Sequence, residues 1–255
     1  MNVEDLKKKK GVRKITMLAA YDYTMAKILD AAGLDLILIG DSLGRYVLGH
    51  SASVKRVTIG DMIRHTEAVA RGTESAVVVS DMPIDTYNTV SDAISNAQKL
   101  LDAGADAVKL EGYKPEIVEG LLSSGVQVMG HLGVKYQTDT TFGVRERQEE
   151  IERIYRHALG LDRLGVFSIV LSLVGGDGAK KITENVNALT IGIGSGIHCD
   201  GQVLVVNRFL GMEKGEVPAH YKKYCSLYEI IFDAVQEYIE DVRNERFPGK
   251  AKSFS

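Results

Sequence analysis

Three apolar runs in this chain end on a carboxylate. Leu36-Ile-Leu-Ile-Gly40 runs into Asp41, Ala76-Val-Val-Val-Ser80 into Asp81, and Ala107-Val-Lys-Leu110 into Glu111. If each run is a strand, side chains alternate between its faces, so Lys109 and Glu111 point the same way at the end of theirs. An exposed ion pair is the commoner fate of two such residues. The recurrence of a carboxylate at three strand ends argues instead for a shared purpose. Carboxylates gathered in one place repel one another unless a cation neutralises them or some hold a proton. An all-oxygen set, with no cysteine nearby and only scattered histidines, suits a hard divalent ion, Mg2+ in preference to Zn2+. Such an ion keeps open positions that a small 2-oxo acid fills with its carboxylate and ketone oxygens, which polarises the carbonyl and stabilises an enolate. Lys109 adds positive charge there and Ser42 a hydrogen bond. His131 follows another apolar run and is balanced between a substrate or proton-transfer role and a histidine bonded within the rim.

The elements that would position these residues alternate along the chain. Apolar runs at 14–20, 36–40, 76–80, 107–110, 126–129, 168–174, 189–194 and 203–206 read as strands. Between them lie helical patterns at 23–32, 59–71, 91–103, from Pro115 to Gly125, at 145–165 and from about Ala179. Ser91 and Asp92 are placed to cap the third of these helices. Long polar loops cover 41–57 and 134–141, and Gly175-Gly-Asp-Gly178 reads as a tight turn. Runs that are continuously apolar, not alternating, imply strands covered on both faces and hence a parallel sheet. Eight such units in about 250 residues is the rhythm of a (β/α)8 TIM barrel, whose strand C-termini converge on one rim. The predicted fold is therefore one barrel domain over residues 1–255, with a helical C-terminal tail from about Tyr221 to Arg246. The same alternation would also build an open doubly wound sheet, but no Gly-rich dinucleotide fingerprint follows the first strand. Gly192-Ile-Gly-Ser-Gly196 reads as a glycine-lined loop at a barrel mouth.

Composition narrows the class further. The 255 residues are 45% hydrophobic, enough for an ordinary core, and the net charge of −3 gives no support to nucleic-acid binding. Lys7 to Lys10 is the one run of like charge and reads as a solvated helix end or a mobile terminus. No apolar stretch approaches the roughly 20 residues of a membrane span, and the N-terminus lacks the apolar core of a signal peptide, so a soluble cytoplasmic protein is expected. Cys199 and Cys225 stand far apart and suggest neither a disulfide framework nor a thiolate metal site.

Taken together, Ala20-Tyr-Asp-Tyr23, Gly40-Asp-Ser-Leu-Gly44, Gly49-His50, Asp81-Met-Pro83, Val108-Lys-Leu-Glu-Gly112, Gly130-His-Leu-Gly133, Ala179-Lys-Lys-Ile-Thr183, Gly192-Ile-Gly-Ser-Gly196 and Asp200-Gly-Gln202 resemble the ketopantoate hydroxymethyltransferase family of the phosphoenolpyruvate mutase and isocitrate lyase superfamily. The likeness spans nearly the whole chain. It implies a barrel enzyme of pantothenate biosynthesis that transfers a one-carbon unit from methylenetetrahydrofolate to 3-methyl-2-oxobutanoate. By that resemblance Asp41, Asp81 and Glu111 hold Mg2+; Ser42, Lys109 and His131 contact the 2-oxo acid; and the protein is a large homo-oligomer.

One departure bears on the reaction. After the sixth strand the family carries Leu-Glu-Cys-Val-Pro, whose Glu is the general base, whereas this chain reads Leu171-Ser-Leu-Val-Gly175. Ser172 stands where the base is expected, and losing a general base costs roughly 10²- to 10⁴-fold in rate. The family's Tyr-Lys-Val-Gln-Gly run is also shortened around Phe142-Gly-Val-Arg145. Asp177, Glu146 and His131 are the alternative bases. Two further readings stay open: carbon–carbon bond formation or cleavage on another carboxylic acid, and a small-acid-binding subunit without turnover.

Overall fold

The computed structural model describes residues 1–50, 54–139, 142–215 and 221–249. The chain divides into two compact units, one from Met1 to Leu204 and one beginning at Val205. In chain order the elements leading through the barrel are α1 (Val3–Lys7), β1 (Ile15–Ala19), α2 (Tyr23–Ala31), β2 (Leu36–Ile39), α3 (Leu43–Tyr46), α4 (Ile59–Arg71), β3 (Val77–Asp81) and α5 (Val90–Asp102). They continue as β4 (Ala107–Glu111), α6 (Pro115–Ser123), β5 (Val128–Gly133), α7 (Gln148–Leu164), β6 (Ser168–Ser172), α8 (Gly176–Asn185), β7 (Leu189–Ile193) and β8 (Gly201–Val205). The strands close into a barrel in sequence order, β1 to β8, and the paired strands are parallel. This decides for the closed sheet over the doubly wound one.

Burial follows from the apolar runs. All residues of β2, β3, β4, β6 and β7 are buried, because helices cover the outside while side chains fill the inside. The helices start where a polar side chain satisfies their first N–H groups. Thr58 and Asp61 form a reciprocal capping box on α4, and Asp22 caps α2. Thr89, not Ser91, caps α5: its hydroxyl accepts from the N–H of Asp92, so the helix begins earlier than the apolar spacing indicates. α8 likewise begins at Gly176, within the expected tight turn, and α7 begins at Gln148, after Arg145 has paired with Val174. Parts of the two long loops, at 51–53 and 140–141, lie outside the described residues.

The lysine run is not a solvated end throughout. Lys7 and Lys8 make exposed pairs with Glu4 and Asp5. Lys9 instead lies 2.8 Å from Asp35, and Lys10 lies 2.6 Å from Asp200 while also donating to the Ala188 carbonyl. Asp35 precedes β2 and Asp200 precedes β8, so these lysines close the N-terminal end of the barrel. Each carboxylate also accepts a backbone N–H from the preceding strand, from Thr16 and Thr190 respectively. Asp106 before β4 does the same with Val78 of β3. Such latches fix the strand register at the N-terminal end of the barrel, the face that in TIM barrels serves stability.

The second unit contains α9 (Val206–Phe209) and the amphipathic α10 (Leu227–Arg243), which has no buried residue. Among the described residues no helix is long and apolar enough to cross a membrane. Both cysteines are free thiols.

Candidate active site

Strand register brings the predicted residues to the C-terminal ends of β2 to β6. Asp81 is paired with Lys109, Glu111 with His131, and Gly133 with Ser172. Because in-register residues of neighbouring strands share a face, Lys109, Glu111, His131 and Ser172 all point into the barrel. Asp41 joins them just beyond β2, its N–H donating to Asp81 Oδ2 at 3.1 Å. Asp41, Asp81, Lys109, Glu111 and His131 are each no more than 6% exposed, which removes the surface ion pair from consideration.

Close approach is built into the backbone. A side chain at Gly40 would put its Cβ 2.7 Å from Ser42 Oγ, and one at Gly133, where φ is +95°, would lie 2.1 Å from the Ser172 carbonyl oxygen. Only glycine allows the two turns to pack this tightly. Ser42, half-buried, meets the Tyr21 hydroxyl at 2.8 Å.

Charge at the site is unevenly balanced. Burial first, and then repulsion from Asp81 and Glu111, push Asp41 up to about 8. Burial likewise raises Asp81 and Glu111, with Lys109 opposing in both cases. Burial would strip Lys109 of its proton, but the three carboxylates outweigh it and keep the ammonium charged. That ammonium lies 2.7 Å from Asp81 Oδ1, an oxygen with no other hydrogen bond, and 3.4 Å from His131 Nδ1. His131 is neutral: burial, then the Lys109 charge, pull it down to about 3. Its Nε2 faces the Val134 carbonyl at 2.8 Å, which can only accept, so Nε2 carries the proton and Nδ1 accepts from Lys109. The 3.6 Å approach of Glu111 Oε1 to that ring is therefore not an ion pair.

A residue with no signal in the sequence completes the cluster. Gln137, on the loop after β5, donates its side-chain amide to Asp41 Oδ2 at 2.8 Å and to the Met82 carbonyl at 2.9 Å, and accepts from the Tyr87 hydroxyl. Its backbone N–H donates to Glu111 Oε2 at 2.9 Å, beside that of Tyr136 to Oε1 at 3.2 Å. Each carboxylate thus faces a protein donor. The donor chemistry, three buried and mutually repelling carboxylates, fits a hard divalent ion. The present arrangement does not: among the described residues no group of three or more His, Cys, Asp or Glu side chains is placed to hold a metal together.

Ser172 is fully buried and its Oγ has no hydrogen-bond partner. Leu173 beside it sits at φ +51°, held by its N–H to Ile193 and by the Arg145 N–H on its carbonyl. A branched residue persists in this left-handed region only where its surroundings impose it. Of the alternative bases, His131 is at the site but neutral and already engaged. Glu146 and Asp177 show no contact to the site residues.

Comparison with known proteins identifies the family. The profile of the ketopantoate hydroxymethyltransferase family matches residues 1–250. A 3-methyl-2-oxobutanoate hydroxymethyltransferase of Pseudothermotoga lettingae is 45% identical, covering 100% of this chain and 98% of that protein. One of Acetivibrio thermocellus is 47% identical, covering 98% and 90%. Among solved structures, 2,3-dimethylmalate lyase, a member of the PEP mutase/isocitrate lyase superfamily, superposes with a TM-score of 0.63 at 13% identity, covering 99% of this chain and 91% of that one. At that identity it speaks to the fold alone.

Proposed function

Since the chain belongs to the ketopantoate hydroxymethyltransferase family, we propose that it transfers a hydroxymethyl unit from methylenetetrahydrofolate to 3-methyl-2-oxobutanoate or a closely related 2-oxo acid. The family itself makes it a transferase. The observation that carries the substrate reading is the buried constellation of Asp41, Asp81 and Glu111 around a charged Lys109.

In this reading Asp41, Asp81 and Glu111 would hold Mg2+, and the bound ion supplies Lewis-acid polarisation of a ketone oxygen. The protein's own groups do the rest. Lys109 contributes fixed positive charge where negative charge develops on the 2-oxo acid, in a site that excludes water and so weakens neither interaction. Neutral His131 keeps the ammonium in place through Nδ1. The half-buried Ser42 hydroxyl, supported by Tyr21, is available to a substrate oxygen. Proton removal is the weak step, since an unassisted Ser172 hydroxyl is a poor base. The lone Ser172 hydroxyl also favours a second reading: a 2-oxo acid whose own oxygen accepts this hydrogen bond, with carbon–carbon bond chemistry that needs no strong base.

Two further properties belong to the proposal. The exposed apolar residues of α10, among them Ile230, Phe232, Val235 and Tyr238, support assembly with further copies. A cytoplasmic location accords with a biosynthetic transferase.

Deuterium uptake at C3 of 3-methyl-2-oxobutanoate, with Mg2+ and without folate, tests the reading. Slow, Mg2+-dependent exchange is expected, accelerated roughly 10²-fold or more in Ser172→Glu. Failure of either protein to exchange or bind any 2-oxo acid would refute it.

A further inference from the structure

Gln137 is 1% exposed, and every polar atom of its side chain is engaged. The orientation of its amide is determined by chemistry. The Met82 carbonyl can only accept, so the NH2 group must face it and the neighbouring Asp41 Oδ2, and the amide oxygen must take the Tyr87 proton. The same residue's backbone N–H meets Glu111. One residue thereby directs donors at carboxylates from the ends of β2 and β4, across Asp81 of β3, whose own partner is Lys109. Those protons carry partial positive charge, and they lie against oxygens that a cation would need. The ring of the adjacent Tyr136 lies edge-on to His131, with centroids 6.5 Å apart.

We propose that Gln137 is a built-in substitute for a divalent cation: its amide and backbone N–H occupy Asp41 and Glu111, and cation binding expels it together with Tyr136. This rests on the metal reading above. Gln137 is a positioning residue. Its donors offset part of the repulsion among the acids, and its departure couples metal binding to movement of the Val134–Asp139 segment, which lies against His131.

The test is Mn2+ binding, followed by electron paramagnetic resonance in the intact protein, together with amide hydrogen exchange with and without Mg2+. Gln137→Ala removes the side-chain amide from Asp41, leaving the backbone N–H on Glu111, and should bind Mn2+ about tenfold more tightly than wild type, the scale of one hydrogen bond to a charged group. Tyr87→Phe removes only the hydroxyl that orients the amide and should tighten binding by about threefold. It is also the milder change should Gln137→Ala fail to fold. In wild type, Mg2+ should speed exchange at the Tyr136 and Gln137 amides as they leave Glu111. Unchanged or weaker affinity in both variants, or slower exchange at those amides with Mg2+, overturns the inference and leaves the metal reading standing. If neither wild type nor the variants bind Mn2+, both fall.

Discussion

Asp35 and Asp41 stand at opposite ends of the four-residue strand β2 and are almost equally buried, 2% and 6% exposed. Their electrostatic fates diverge. Asp35 accepts from Lys9, Arg13 and Thr16, and these partners overcome the cost of burial to hold it at about 2. Asp41 has one amide from Gln137 and the N–H of no cation, while Asp81 and Glu111 repel it, and it rises to about 8. Burial alone does not mark a functional acid. What separates the two ends is whether the fold supplies enough donors: a satisfied carboxylate is a clamp, and an underserved one is a candidate functional group.

The largest effect that would sharpen this contrast is on turnover. Asp41→Asn should lower kcat/KM for hydroxymethyl transfer by roughly 10³-fold, the equivalent of several kcal/mol of metal-assisted charge stabilisation, while Asp35→Asn should leave it within about twofold. Comparable losses in steady-state assays of both variants would break the division of labour. Stability should move the other way. Asp35→Ala should cost about 3 kcal/mol in urea unfolding, the low end for breaking a buried ion pair because Arg13 is half-exposed, whereas Asp41→Asn removes a carboxyl that burial keeps from ionising and should be neutral or stabilising.

The most diagnostic effect is on pH dependence, measured in a chelator. The stabilisation from Asp35, whose folded pKa is depressed, is complete above about pH 4 and drains as pH falls toward 2. Asp41 has the opposite sign. Its raised folded pKa means that stability declines as pH climbs from about 4 to about 8, since only the unfolded chain ionises freely there. Asp41→Asn should flatten the decline on the alkaline side and Asp35→Asn the loss on the acid side. An unaltered profile in either variant would show that its partners, not the named acid, set the slope.

Much of this was legible in the residues. Continuous apolar runs revealed the parallel barrel because a doubly covered strand tolerates nothing else, and the acids at strand ends revealed the rim because register carries them there. What escaped were partners reached through loops. Lys9 and Lys10 look like a solvated run until Asp35 and Asp200 are seen beside them. Gln137 lies in a polar stretch without periodicity, and nothing local distinguishes a buried glutamine from an exposed one. Thr89 displaced Ser91 as the cap because the hydroxyl that reaches the third N–H wins, whatever the apolar spacing. Ser172 was conspicuous as a departure, but its lack of a hydrogen-bond partner depends on neighbours that sequence cannot place.

The latches at the N-terminal rim also have a bearing on the order of folding. Their backbone bonds join residues close in sequence: Thr16 to Asp35 across 19 positions, Val78 to Asp106 across 28 and Thr190 to Asp200 across 10, while Lys10 to Asp200 on the same rim spans 190. The bond from Gln137 to Asp41 spans 96. Closing the longer loop costs about 1.4 kcal/mol more in chain entropy than closing the 19-residue one. Strand pairs can thus be clamped one βα unit at a time while the C-terminal rim is still open, and the acids are forced together only when the barrel shuts. Repulsion at the rim then falls late on the folding path, where it hastens unfolding more than it slows folding.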